Sequence, residues 1–310
     1  MDDAKNSDKL KNYLRIVSII GFALIIIRTL LYTKYDRTGL LYIAVPFTIS
    51  WAIYYFIPHT DGSNLLKRLS NHIRTNLIIL LSVSLILMEG YICVIMLMPI
   101  YFFISMASFI SAELIRKKSS SKSVKVYVLP LIIILTSLEG TSSFTTFNRY
   151  NEVTHSKIIN ADIPAIKKML SAPRKLEGKR HFLVSIFPLP TNIVDSVVLK
   201  EGNKRKYDFI YHRWITGNTH KGSMVMTIDK VADNYIKTNI SDESYLSNYL
   251  KFHSSEIKFE PINRSSTRVS LTISFDRLLD PSWYFQPLER FAVKKGLEFY
   301  LNQITNTKNI

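Results

Sequence analysis

The stretch from Thr267 to Ile304, TRVSLTISFDRLLDPSWYFQPLERFAVKKGLEFYLNQI, carries two hydrophobic periods in succession and decides the fold of the C-terminal half. Val269, Leu271, Ile273 and Phe275 are apolar at every second position, with Arg268, Ser270, Thr272 and Ser274 between them, which is the pattern of a strand buried on one face. After Asp280-Pro281 the spacing lengthens. Tyr284, Leu288, Phe291, Leu297, Tyr300, Leu301 and Ile304 approximate one helical face, so a long amphipathic helix ends the chain with Asp280 as its candidate N-cap.

Reading backwards from this stretch, strand-like segments recur: HFLVSIF (181–187), YDFIYHRW (207–214), GSMVMTID (222–229), NYIKTNI (234–240) and EIKFEP (256–261). They are rich in β-branched and aromatic residues and are separated by the turn signals EGNK, TGNTHKG and NRSS. Before them EVTHSKIINA (152–161) reads as a first strand, and ADIPAIKKML (161–170) as a short helix capped by Asp162 with Pro164 in its first turn. A strand, a short helix, a run of antiparallel strands and a long final helix predict an α+β domain over 149–310, a curved antiparallel sheet around the C-terminal helix.

The half before the Ser/Thr-rich connection TSSFTTFNRYN (141–151) obeys a different pattern. Crossing a bilayer takes about 20 mostly apolar residues as a helix, and candidates run over Tyr13 to Thr33, Leu40 to Ile57, Ile73 to Tyr91, Ile92 to Ala112 and Val126 to Phe144. The apolar run from Leu77 to Ala112, broken only at Glu89 and Gly90, would be about 54 Å long as one helix, so a hairpin at Glu89-Gly90 is expected. The reading is a five-helix transmembrane bundle over 13–145, preceded by a tail over 1–12 and followed by the α+β domain. The basic start and apolar stretch resemble a signal peptide without its small-residue cleavage site, so the first helix is read as a retained anchor. Pro46, Pro99 and Pro130 fall inside apolar runs, where neighbouring helices can re-satisfy the freed backbone groups.

The net charge of +16 is distributed as topology predicts rather than gathered as in a nucleic-acid reader, so no nucleic-acid partner is expected. With the N-terminus in the cytoplasm, the inner side holds Lys5, Lys9, Lys11, Arg15, Lys67, Arg68, Arg74, Arg116, Lys117, Lys118, Lys122 and Lys125, against Arg28, Lys34 and Arg37 outside. This predicts an integral protein of the cytoplasmic membrane whose C-terminal domain is extracytoplasmic. The same topology sends Arg28, Glu89 and Glu139 to one outer end, where they either cluster or separately reach the headgroup region. Cys93 is the lone cysteine, which excludes an intramolecular disulfide and any cysteine-based metal site.

The element order, the FPLP step (187–190), the TGNTHKGSMVMTI hairpin and the terminal stretch quoted above resemble the SRPBCC superfamily, the helix-grip group that contains START-like lipid-transfer domains and polyketide cyclases/dehydrases. EGYICVIMLMPI (89–100) is similar to a segment of membrane-attached members, so the resemblance covers about Leu77 to Ile304. It implies a deep cavity between sheet and helix that takes a lipid or other hydrophobic small molecule. It implies no particular reaction, because one fold hosts many functions.

No P-loop, dinucleotide glycine pattern, GxSxG or HExxH occurs, and no metal or cofactor is expected. His212, Trp214 and His220 belong to one predicted hairpin and His253 and Glu256 to a strand opposite. Convergence on the cavity would make them ligand contacts or a general acid and base; otherwise they are solvent-facing strand residues. Tyr284, beside Trp283 and Phe285, is a further cavity candidate or a bilayer contact, and Asp276, Arg277, Asp280 and Arg290 are candidates for ion pairs fixing the last helix. Three readings follow: a membrane-tethered binding module, a cyclase/dehydratase-like acid/base enzyme on a hydrophobic substrate, and a scaffold recruiting a protein partner. Oligomeric state is left open.

Overall fold

The computed structural model describes residues 2–57, 64–87, 91–117, 128–176, 189–193, 197–214 and 217–304. The chain divides into two compact units, one formed by 1–147 with 279–282 and the other by 148–278 with 283–310.

The first unit is helical. It contains α1 (Asp2–Tyr32), a π-helical turn (Leu40–Ala44) leading into α2 (Val45–Phe56), α3 (Leu65–Ile86), α4 (Tyr91–Lys117) and α5 (Val128–Ser137). Three stretches are long and apolar enough to cross a membrane: Tyr13–Tyr32, Leu65–Ile86 and Val94–Arg116. Five spans were expected, and the second and fifth are shorter apolar helices, Leu40–Phe56 and Val128–Ser137. The second stops because Ile57 turns extended, at φ −95° and ψ 121°. The fifth stops at Ser137, seven residues before the expected Phe144, where the chain enters a series of turns through Gly140 at φ +82°. Glycine suits that left-handed backbone, and a Cβ there would also run into the Asp280 carboxylate. The long apolar run does break, α3 ending at Ile86 and α4 starting at Tyr91; the bend itself, with Glu89, lies outside the described residues.

The second unit holds β1 (Tyr150–Ile159), α6 (Ile163–Ser171), β2 (Arg174–Lys175), β3 (Pro190–Ile193), β4 (Lys204–Trp214), β5 (Gly217–Val231), β6 (Tyr235–Asp242), β7 (Leu250–Asn263), β8 (Ser266–Arg277) and α7 (Ser282–Ile304). The eight strands form one antiparallel sheet in the order β1-β8-β7-β6-β5-β4-β3-β2. The first strand closes against the last, as a curled half-barrel requires. The Asp162 cap of α6 forms as expected, its Oδ1 accepting from Ala165 N at 2.9 Å. The expected strand HFLVSIF lies outside the described residues.

Alternation along β8 is realised as read. Val269, Leu271 and Phe275 are buried, while the other face pairs hydroxyls with its neighbours: Thr272 with Thr154, Ser270 with Ser156 and Ser274 with Ser254, each at 2.8 Å. Val293, Leu297, Leu301 and Ile304 of α7 pack into the core under β1, β7 and β8, and Phe299 and Tyr300 into a second core under β3, β4 and β5. The helix is thereby held by both halves of the sheet's inner face, and each fully buried Leu or Phe contributes about 1.5–3 kcal/mol. Its buried face differs from the expected one in the first half. Phe285, Glu289 and Val293 are buried at four-residue spacing, whereas Phe291 is 42% exposed. A carboxylate occupies the position an apolar residue was expected to hold. The helix also starts at Ser282, so Asp280, fully buried, stands two residues before its first residue rather than at the cap.

Candidate functional site

The inner face of β4, β5 and β6 is fixed by alternation. Tyr207 and Phe209 on β4, Met224 on β5 and Phe299 on α7 are buried together, with Met226, Ile240, Leu246 and Tyr300 packed around them. Into this apolar surround the fold brings few polar groups. The Tyr207 and Tyr300 hydroxyls lie 3.0 Å apart. Burial pushes the Tyr207 phenol well above its usual range, and the neighbouring Tyr300 adds to this.

Asp242 ends β6 directly opposite Met224, so it shares the inner face. Its Oδ1 accepts from Ser244 N at 2.7 Å, and its Oδ2 is buried with no hydrogen-bond partner among the described residues. Burial raises its carboxyl above the ordinary carboxylate value. Two inner positions further along β5, past Gly222, is His220. Its ring lies 5.5 Å from that of Tyr245, which belongs to the 3-10 turn Tyr245–Asn248, and its Nε2 is likewise buried with no hydrogen-bond partner among the described residues. Tyr249 OH donates to Tyr245 OH at 3.0 Å. Gly222 makes this arrangement possible, since a Cβ there would sit 2.7 Å from Ser244 Cα and 2.9 Å from Glu243 O.

At the same end, where β1 begins and β8 ends, Asn151 (2% exposed), Arg277 (0%) and Glu289 (3%) are buried polar residues. Asn151 Oδ1 accepts from Gln286 Nε2 at 3.0 Å and from Arg290 Nη1 at 3.4 Å. Asp276 turns the other way, to the outer face of β8, where its carboxylate meets His253.

His253 and Glu256 are not gathered with His220. A register shift between Phe252 and Ser254 makes His253 a bulge residue and turns it with Ser254 to the outer face, where Nε2 meets Asp276 Oδ2 at 2.9 Å and the ring stacks on Tyr150. Glu256 alternates with the buried Ile257 and pairs with Lys258 Nζ at 3.6 Å, also outside. His212 and Trp214 lie on β4 opposite Thr219 and Gly217, and their side chains fall outside the described ones. Tyr284 is half-buried at the start of α7, its ring against Trp283 and Phe285. Among the described residues no group of His, Cys, Asp and Glu has the geometry of a metal site.

No protein-family model matches the chain, and no curated protein matches it. Solved structures with a similar fold include a point mutant of norcoclaurine synthase from Thalictrum flavum bound to a transition-state analogue. It is 14% identical, with 52% of this chain and 94% of that chain covered and a TM-score of 0.34. The Zhui aromatase/cyclase from Streptomyces sp. R1128 is 16% identical, with 50% and 92% covered and a TM-score of 0.32.

The helical unit has polar residues of its own. Arg68, His72 and Asn76 recur every four residues along α3 and so share one stripe. His72 Nε2 lies 2.7 Å from Ser50 Oγ of α2, which donates to Ser105 O of α4 at 3.1 Å; Tyr101 OH donates to Asn76 Oδ1 at 3.1 Å. Glu113 closes the row, accepting from Tyr54 OH, Arg68 Nη2 and Arg116 Nη2 at 3.1, 3.3 and 3.2 Å. This interior row is a buried polar feature of the described helices that the sequence reading did not single out. Of the expected trio, Arg28 is exposed on α1, and Glu139, 6% exposed, accepts from Ser282 N at 2.7 Å through Oε1.

Proposed function

We propose that the chain is a membrane-tethered binding module whose helix-grip interior holds a lipid or other hydrophobic small molecule. The observation that carries this reading is the pairing of an apolar interior with two buried polar atoms, His220 Nε2 and Asp242 Oδ2, that have no hydrogen-bond partner among the described residues. Ligand sites combine an apolar lining with a few convergent polar groups, and buried polar atoms without a protein partner call for one from elsewhere. Three apolar helices of spanning length support the tether, and the distribution of Lys and Arg favours a cytoplasmic N-terminus with the binding domain on the other side. His212, Trp214 and Tyr284 remain candidate contacts for the same ligand.

A second reading, acid/base chemistry on a bound hydrophobic substrate, is favoured by one feature, the half-buried imidazole of His220, whose Nε2 is shielded from solvent, beside the Tyr245 ring. It assigns the general acid or base role to His220 among the candidates read from the sequence. The full chain, reconstituted in nanodiscs and titrated with an environment-sensitive alkyl fluorophore, tests the binding reading. Saturable binding, abolished by Met224→Trp and weakened by His220→Ala with the β-sheet circular dichroism unchanged, is the expected result. Binding that is not saturable, or that neither variant alters, would overturn it.

A further inference from the structure

Among the described residues, the α3 start of the helical unit carries more positive charge than its acid balances. Glu113 offers one carboxylate, already accepting from Tyr54, while two guanidiniums, Arg68 and Arg116, share its Oε2. The Arg68 side chain is only 14% exposed, and its Nε is a buried donor with no hydrogen-bond partner among the described residues. Lys67 stands beside it in the first turn of α3, which has no acidic residue and no side-chain cap from Asn64. The positive end of the helix dipole and its open N–H groups therefore add to the same sign. A guanidinium so withdrawn from water needs its charge and its donors satisfied. Among the described residues, protein groups supply only part of this.

The surroundings indicate the missing partner. Tyr55, Phe56, Leu65, Leu66 and Leu114 project exposed apolar side chains from the same ends of α2, α3 and α4. An anion that arrives with hydrocarbon attached fits both surfaces at once. We propose that Arg68, Arg116 and Lys67 bind the phosphate headgroup of an anionic phospholipid, whose acyl chains lie on the apolar residues alongside. Guanidinium forks recognise phosphate oxygens by paired N–H donors, and Arg68 retains such donors after its bond to Glu113. The inference rests on the membrane reading of the helical unit and is independent of any ligand in the sheet domain.

The test uses the full chain in nanodiscs of phosphatidylcholine with and without phosphatidylglycerol, and reads the lipids retained in native mass spectrometry after the belt is removed. Phosphatidylglycerol should be retained over phosphatidylcholine, and Arg116→Gln, a half-exposed position, should weaken that preference on the order of tenfold for one lost charge-assisted bond. Glu113→Gln should strengthen it, because the competing carboxylate is gone. Arg74→Gln, exposed on the same helix, should leave it unchanged. Equal retention of the two lipids would overturn the proposal, as would an unaltered preference in Arg116→Gln or occupancy by inorganic phosphate alone in phosphatidylcholine discs. Release of the chain from membranes by alkaline carbonate would instead remove the membrane reading on which it stands.

Discussion

Gly222→Ala isolates the contact that places the 3-10 turn against the inner face of β5. The added Cβ would meet Ser244 Cα at 2.7 Å and Glu243 O at 2.9 Å, where ordinary contact begins near 3.4 Å. Backbone rather than a flexible side-chain end must therefore move by roughly 0.7 Å, the difference between 3.4 and 2.7 Å. Overpacking of this kind costs about 1–3 kcal/mol, and about 2 kcal/mol corresponds to a fall of roughly 4–8 °C in Tm for a domain of this size. Gly202→Ala provides the contrast, since Gly202 has φ +84° but open space around it, so its cost is left-handed backbone strain of about 1–2 kcal/mol. Thermal unfolding by near-UV circular dichroism measures both. Hydrogen exchange adds the local readout: in Gly222→Ala the amides of Ser244 to Tyr249 should lose protection, while in Gly202→Ala they should not. An unchanged Tm together with unchanged protection in Gly222→Ala would refute the assigned packing.

Asp242→Asn should be more stable than the parent at neutral pH. Because burial raises the folded-state carboxyl, its protonated form is favoured by folding; that contribution is present below the ordinary value of 3.8 and is lost as pH rises through the raised one. Urea unfolding of the two proteins should therefore converge as pH falls below about 4 and separate above it. Tyr207→Phe and Tyr300→Phe should each cost about 0.5–1.5 kcal/mol, and a double-mutant cycle should return a non-zero coupling from their shared 3.0 Å hydrogen bond. Glu113→Ala, which strands Arg68 against the bundle interior, should cost about 3–5 kcal/mol in reversible unfolding from the membrane-reconstituted state, well beyond an exposed charge such as Arg74→Ala.

Much of this architecture could be read in advance because it depends on period. Val269 to Phe275 alternate cleanly, and the Asp162–Pro164 start of α6 follows from its own residues. What escaped depends on register or on burial of charge. Nothing in KFHSSEIKF marks His253 as a bulge, yet one extra residue turns it from the inner face to Asp276 on the outer. Asp242 ends a polar-looking segment and becomes an inner residue only through its pairing with Met224. In the first half of α7 the apolar phase was set by Tyr284, Leu288 and Phe291, but the buried stripe runs through Glu289, a residue that patterning assigns to solvent. The row Arg68, His72, Asn76 resembled a basic flank because its partners Ser50, Ser105 and Glu113 come from other helices. Four-residue spacing of polar residues within an apolar helix was the available signal.

The most direct test is photocrosslinking of the reconstituted full chain with a diazirine-bearing alkyl lipid, followed by digestion and mapping of modified peptides. The account predicts adducts on peptides carrying Tyr207, Met224 or Phe299, in addition to those on the apolar helices, and predicts their loss in Met224→Trp. Adducts confined to α1 to α5, with the inner face of the sheet unlabelled at saturating lipid, would contradict it.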